Sequence, residues 1–351
     1  ERIIAFARAL LGFLPGGLGV CVVGASMIFG GISGSAIADS AAIGSVMIPN
    51  MAKQGYTRAF AAGLVASAGT IGIIIPPSIP MLVYGFVGNV SVAELFLAGF
   101  IPGAVFGLAL MLVCYWVGRS TGCDPGGKGA SAGEIWRSFI GCAPALFLPV
   151  IILGGIFSGY VTPTEAAALA VVYGLIVTIV VYRDFHIRDL PKLLVDSFIT
   201  SAVVMVVIGA TTVLAWLITL EQMPTLLVSF VQNMSDSPFM FLLLVNIVLL
   251  ILGLVLDPVP AILLTAPLFI PTATAFGVDP VHLGVVMTCN LALGLFTPPV
   301  GATLYVASNI SGVGVLTIAR AMAPLYLVSL ITLMLVTYIP TISMSMVWLF
   351  R

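Results

Sequence analysis

Charge is what this sequence has least of. Only 7% of its 351 residues are Asp, Glu, Lys or Arg, against about a quarter in a soluble domain. With 61% of the chain hydrophobic, no soluble fold could hide the apolar surface, so the solvent must be lipid. The formal net charge of −1 leaves no basic excess for a nucleic-acid partner. Histidine is almost absent. His186 lies in a charged loop and His282 opens an apolar run. Neither has a second ligand nearby, which argues against a metal centre. The five cysteines, Cys21, Cys114, Cys123, Cys142 and Cys289, form no CxxC pair and read as small core residues. An initiating Met is also missing. Glu1 stands first, no signal peptide is legible, and the native chain is expected to start earlier.

What is there is long apolar runs. A membrane helix needs about 20 such residues. Seven runs qualify as crossings: 59–87, 95–118, 140–160, 163–183, 197–219, 282–308 and 323–345. Two other regions, 17–50 and 239–272, are each broken near the middle. The first breaks at Ser33-Gly34-Ser35 with Asp39 just beyond, the second at Asp257-Pro258 with Pro260 beyond. Each arm of about 17 residues spans about 25 Å, marginal for a hydrocarbon core of about 30 Å. Both read as re-entrant helical hairpins, with two short full crossings as the alternative. Lys53 and Arg58, then Arg119, Lys128 and Arg137, then Arg183, Arg188 and Lys192, fall in links on one side. Arg320 joins them, and only Arg351 falls opposite. The positive-inside rule makes their side cytoplasmic. The first hairpin then opens to the cytoplasm. Five crossings later, the second opens to the outside, and the C-terminus is periplasmic.

The two halves match at one constant offset. Pro49 and Pro271, Gly55 and Gly277, Gly72 and Gly294, Pro76-Pro77 and Pro298-Pro299, and Pro102 and Pro324 are all 222 positions apart. An odd number of crossings between the halves makes the repeat inverted, a common plan of secondary transporters. The predicted organisation has a first repeat over 1–118, connecting scaffold helices over 119–196, a second repeat over 197–345 and a tail over 346–351. Glu1–Leu14 and Glu221–Asn233 read as amphipathic interfacial arms before each hairpin. A crossing precedes the second arm. At least one more is expected before the first.

The matched runs 59–87 and 282–308 each carry Gly and Pro-Pro mid-membrane. Proline removes an N–H and clashes with the preceding turn, so the helix must open there. Freed carbonyls suit a hard cation such as Na⁺, and helix-start N–H groups suit a carboxylate. One tip and one break per repeat would give two cation sites flanking one anion site. The first set is Ser33, Gly34 and Ser35 facing Thr70, Gly72 and Ser78. The second is Gly253, Leu256 and Asp257 facing Gly294, Thr297 and Gly301. Local readings stay open beside these. The glycines and prolines could only shape kinks, and Ser35, Asp39 and Asp257 could only cap or charge-match helix starts. Thr162-Pro163-Thr164-Glu165 reads as a capping box. A different class of function, an intramembrane aspartyl protease using Asp39 and Asp257, lacks the Gly-x-Gly-Asp context and leaves the Pro-Pro breaks unexplained. A purely structural subunit would need no polar tips.

Four ordered motifs carry a family likeness: Ser33-Gly34-Ser35-Ala36-Ile37-Ala38-Asp39-Ser40, Gly69-Thr70-Ile71-Gly72-Ile73-Ile74-Ile75-Pro76-Pro77-Ser78, Thr162-Pro163-Thr164-Glu165 and Leu293-Gly294-Leu295-Phe296-Thr297-Pro298-Pro299-Val300-Gly301. Over about residues 1–345 the chain resembles the large membrane subunit of TRAP (tripartite ATP-independent periplasmic) transporters, DctM type. At the first tip the family usually has Ser-Ser-Ala-Ala-Asp-Thr, so one hydroxyl is absent at Ala36. The resemblance implies an all-α, elevator-type transporter of the bacterial inner membrane and no enzyme activity. It implies uptake of an organic acid such as a dicarboxylate by Na⁺ symport, with no cofactor beyond that coupling ion. Its implied partners are a small four-helix membrane subunit and a periplasmic substrate-binding protein. Carried over, sodium falls to Ser33, Gly34, Ser35, Thr70, Gly72, Gly253, Leu256, Gly294, Thr297 and Gly301. Substrate falls to Ser35, Asp39, Ser78 and Asp257. A stand-alone Na⁺/dicarboxylate symporter of similar architecture is the rival.

Overall fold

In the computed structural model, residues 2–127, 129–234 and 237–350 are described. Glu1, Lys128 and Arg351, used above for the arm and the orientation, lie outside them. The described residues form helices and connecting turns, with no strand among them. Seventeen α-helices follow in order. They are α1 (Arg2–Leu11), α2 (Gly17–Ser33), α3 (Ala36–Lys53), α4 (Arg58–Gly69), α5 (Ile79–Gly88), α6 (Val92–Thr121), α7 (Ala132–Phe157), α8 (Pro163–Ile176), α9 (Leu190–Leu220), α10 (Met223–Met234), α11 (Pro238–Gly253), α12 (Pro258–Ala275), α13 (Pro280–Gly294), α14 (Ala302–Ser311), α15 (Val315–Ala321), α16 (Ala323–Tyr338) and α17 (Pro340–Phe350).

The helix starts follow local chemistry. Thr57 accepts from the Phe60 amide at 3.2 Å to open α4, and Asp279 accepts from the Val281 amide at 2.8 Å to open α13. Both Ser131 with Glu134 and Thr162 with Glu165 close reciprocal capping boxes, on α7 and α8. The first turns of α8, α9, α11, α12, α13 and α16 contain proline, where its missing N–H costs no helical hydrogen bond.

Among the described residues, five helical segments are long and apolar enough to cross a membrane: α6, α7, α8 with its π-helical extension to Val181, α9 with the turn before it, and α12. Two bent pairs, α14–α15 at 104° and α16–α17 at 53°, would raise the number to seven. Runs 59–87 and 282–308 open at their Gly and Pro-Pro segments, as the sequence predicts. A 3₁₀ turn, Thr70–Ile73, and the Pro-Pro turn separate α4 from α5, and residues 295–301 separate α13 from α14. Run 323–345 bends at Pro340, which cannot continue the helix without a clash. The crossing expected from 140 starts at Ala132 behind its capping box, so Arg137 is helical and the link shrinks to 122–131. At 18 residues, α12 is long enough to cross by itself.

The helix starts repeat. Helices α1 to α5 begin at 2, 17, 36, 58 and 79, and α10 to α14 begin at 223, 238, 258, 280 and 302. Both Pro76-Pro77 and Pro298-Pro299 are cis. The two sets interlock, since α5 packs on α12 while α14 packs on α3 and α4. Burial divides the molecule. Helix α13 is buried along its length from Val281 to Gly294, as is α4 from Phe60 onward. In α9 only Thr211 is buried.

Candidate functional site

The first tip is made by two residues with opposite backbone habits. Gly34 adopts φ 60°, a left-handed conformation that ends α2 and that side chains resist. Ser35 is extended and opens α3, its hydroxyl accepting from the Ala38 amide at 3.4 Å. The Ser33 hydroxyl accepts from the Ser35 amide at 3.1 Å and donates to the Asp39 carboxylate. Asp39 is 0% exposed, and its second carboxylate oxygen, Oδ2, has no hydrogen-bond partner. The Ser40 hydroxyl beside it is also unpartnered. Both groups press on the broken helix. A Cβ built at Gly72 would overlap the Asp39 carboxylate, and one at Gly69 would overlap the Ser40 hydroxyl. Glycine is what lets the hairpin reach the break.

The second tip repeats the backbone and changes the chemistry. After α11 ends, residues 254–256 turn and extended Asp257 opens α12. Asp257 holds the N-cap position before Pro258, as the sequence suggests, but its side chain makes no capping bond. Its side chain is exposed. Gly253 and Gly294 meet backbone to backbone, and a Cβ at Gly294 would lie 2.6 Å from the Gly253 Cα and carbonyl oxygen.

The breaks release carbonyls, and nearby hydroxyls take them. Ser78 Oγ donates to the Ile73 carbonyl at 2.5 Å. At the position 222 residues on, the Leu295 carbonyl accepts from Thr303 Oγ1 at 2.9 Å and from the Thr303 amide at 3.1 Å. Gly301, at φ 45°, turns the chain back so that Thr303 can reach. Thr70 and Thr297 donate into their own helices, to Ser67 O at 2.8 Å and Leu293 O at 2.6 Å. The oxygens of these two hydroxyls keep lone pairs for a further partner.

Tips, breaks and one long helix converge on an open cleft of about 460 Å³. Gly34, Ser35 and Ala36 line it from the first tip, Asp257 and Pro258 from the second, and Ile73, Ile79 and Leu295 from the breaks. Helix α9 supplies the remaining wall, from Ile199 to Val207. Among the described residues, no Lys, Arg or His lines it. Of the residues expected to bind substrate, Ser35 and Asp257 therefore share the cleft. Asp39 sits behind the first tip and Ser78 is buried, its hydroxyl on Ile73, and neither lines the cleft. Of the expected sodium residues, Ser33 and Gly72 join Asp39 in one cluster, and Gly253 and Gly294 form the matching approach in the other half. Thr70 and Thr297 lie beside the breaks. Leu256 lies in the second tip and Gly301 in the second break, and neither lines the cleft. The protease pairing fails geometrically, because one aspartate faces the cleft and the other is sealed behind it. Sequence reasoning missed Ser40, Gly69 and the α9 wall. Ser40 was legible from its place in the tip motif. The α9 run is too uniformly apolar to point anywhere.

Comparison with known proteins covers nearly the whole chain. The family model described as the DctM component of tripartite ATP-independent periplasmic transporters matches residues 1–342. A C4-dicarboxylate TRAP transporter large permease protein of Pseudomonas aeruginosa is 45% identical over 346 residues, 99% of this chain and 81% of that protein. A sialic acid TRAP transporter large permease protein of Vibrio cholerae is 40% identical, covering 100% of this chain and 82% of its own length. An isethionate TRAP transporter permease protein of Oleidesulfovibrio alaskensis is 39% identical over 98% of this chain, which spans about half (54%) of that longer relative.

Proposed function

The chain belongs to the DctM-component family of tripartite ATP-independent periplasmic transporters, and from that premise we propose that it carries an organic acid through this cleft by Na⁺ symport. As a member it is a multi-pass membrane permease subunit for organic acids and not an enzyme. One observation carries the ion coupling. The first half holds a fully buried carboxylate oxygen on Asp39 with no partner, beside an equally unpartnered Ser40 hydroxyl. A buried anionic oxygen without a donor is costly, and a desolvated monovalent cation meets that need. Asp39 thereby moves from the substrate set to the cation set, with Ser33 and the backbone at Gly72 around it. In the second half the Gly253–Gly294 approach and Thr297 offer oxygens without a carboxylate.

The substrate carboxylate enters at the first tip, where Ser35 and the start of α3 present hydrogen-bond donors to an anion. Asp257 faces it across the cleft. With the cation bound the buried charge is neutralised, and the tips and breaks move as one elevator body against α9 and the other exposed helices. Loaded, that body carries no bare Asp39 charge through lipid. The two hairpins are re-entrant in this reading, and the subunit sits in the bacterial inner membrane with a periplasmic C-terminus. A small membrane subunit and a periplasmic binding protein complete the system.

Reconstitution tests this directly. The complete complex with its binding protein is expected to take up labelled organic acid only with an inward Na⁺ gradient. Undiminished uptake with K⁺ in place of Na⁺ would sink the coupling.

A further inference from the structure

The cleft has a character that the shared motifs do not dictate. Its α9 wall presents Thr200, Val203, Val204 and Val207 at spacings of three and four, one face of a helix. Among these Thr200 alone is polar. Among the described residues that line the cleft, the polar side chains are Ser35, Thr200 and Asp257, and none is cationic. Three ligand chemistries can be weighed against that lining.

A dicarboxylate brings two anions. One fits Ser35 and the α3 start. The second would lie in the same cleft as the Asp257 carboxylate, with no Arg or Lys to separate the like charges. A polyhydroxylated acid brings many donors and acceptors. Three polar side chains cannot match them, and each unmatched buried hydroxyl costs binding free energy. A monocarboxylate with an apolar body and one hydroxyl matches Ser35 and Asp257, while the Thr200 hydroxyl already donates to the Asp196 carbonyl at 2.9 Å. Its carboxylate takes the first tip, its hydroxyl donates to Asp257, and its body lies on the valines of α9.

We propose that the α9 face is the specificity wall of this cleft and selects a hydroxylated monocarboxylate with an apolar body over dicarboxylates and polyhydroxylated acids. The proposal rests on the transport reading given above and narrows its substrate. Val203 is 60% exposed, so altering it leaves the fold intact while changing the wall.

The test uses the intact membrane complex in lipid nanodiscs with saturating Na⁺ and no binding protein, so that the permease's own preference is read. Binding of 2-hydroxy-4-methylpentanoate, succinate and gluconate is measured by calorimetry. The branched hydroxy acid is expected to bind at least about tenfold more tightly than either competitor. Val203→Asn is expected to reduce that preference to about threefold or less while leaving the Na⁺ concentration for half-saturation unchanged. Succinate or gluconate binding as tightly as the branched acid overturns the proposal. So does an unchanged preference in Val203→Asn, or silence from all three acids while the complete system still takes up an organic acid. If the complete system shows no Na⁺-driven uptake of any organic acid, the transport reading itself fails.

Discussion

The two halves of the molecule share a backbone plan and place their acids oppositely. At equivalent positions, the first hairpin opens α3 with Ser35 and the second opens α12 with Asp257. One turn on, the first half has buried Asp39 where the second has buried Ala261. The first half therefore keeps its carboxylate inside, against Gly72, and the second holds its carboxylate in the cleft. The second half differs in its interior too. Asn290 donates to the Asn246 side chain at 2.7 Å, Asn246 donates to Thr337 at 3.1 Å, and His282 pairs with Ser343 at 2.7 Å. The positions 222 residues earlier hold Ala68, Gly24, Tyr115 and Phe60 in place of Asn290, Asn246, Thr337 and His282. On the proposed transport reading the duplicated geometry divides its two carboxylates, Asp39 serving the ion and Asp257 the substrate, and the second half adds a buried polar brace.

The sharpest way to break this comparison is at the paired glycines. Gly72→Ala drives a methyl into the Asp39 carboxylate, and Gly294→Ala drives one into the Gly253 backbone. Uptake is expected to fall at least a hundredfold in both. A thermal melt of the purified complex should separate them. Gly294→Ala meets immovable backbone and should lower the melting temperature more than Gly72→Ala, where a side chain can shift.

The polar brace gives the next largest effect. Asn290→Leu leaves the Asn246 side-chain oxygen without its donor in a buried place. A loss of about 1–3 kcal/mol of stability is expected, read as an earlier midpoint in a denaturant titration, with the Na⁺ dependence of uptake preserved. The mirror change, Ala68→Asn, adds a polar group with no ladder to join and should destabilise without gaining function.

Smaller still is the capping box on α8. Thr162→Ala removes the hydroxyl that accepts from the Glu165 amide at 3.3 Å. About 1 kcal/mol of helix stability should be lost, with uptake near wild type. A large transport defect there would mean that the scaffold end of the molecule does more than hold position.

Much of this was legible in the sequence because the signals were backbone signals. Gly and Pro-Pro at a constant offset marked both breaks, Gly34 marked the first tip, and Thr162 with Glu165 marked a helix start, each through steric or hydrogen-bonding rules that act within a few residues. What the sequence hid was long-range. Ser78 and Thr303 look alike as free hydroxyls until folding brings them to the Ile73 and Leu295 carbonyls. Asp39 and Asp257 look equally available until one is buried and the other exposed. Pro340 carried a local signal for the bend in the last run, one that uniform hydropathy masked.

The most direct measurement is a Na⁺ titration of substrate uptake by the reconstituted complex in wild type, Asp39→Asn and Asp257→Asn. Asp39→Asn is expected to raise the half-saturating Na⁺ concentration at least about tenfold with little change in substrate affinity at saturating Na⁺. Asp257→Asn is expected to weaken substrate binding about tenfold and leave the Na⁺ requirement unchanged. The reverse pattern, or the same shift in both variants, would contradict the division of ion and substrate chemistry between the two halves.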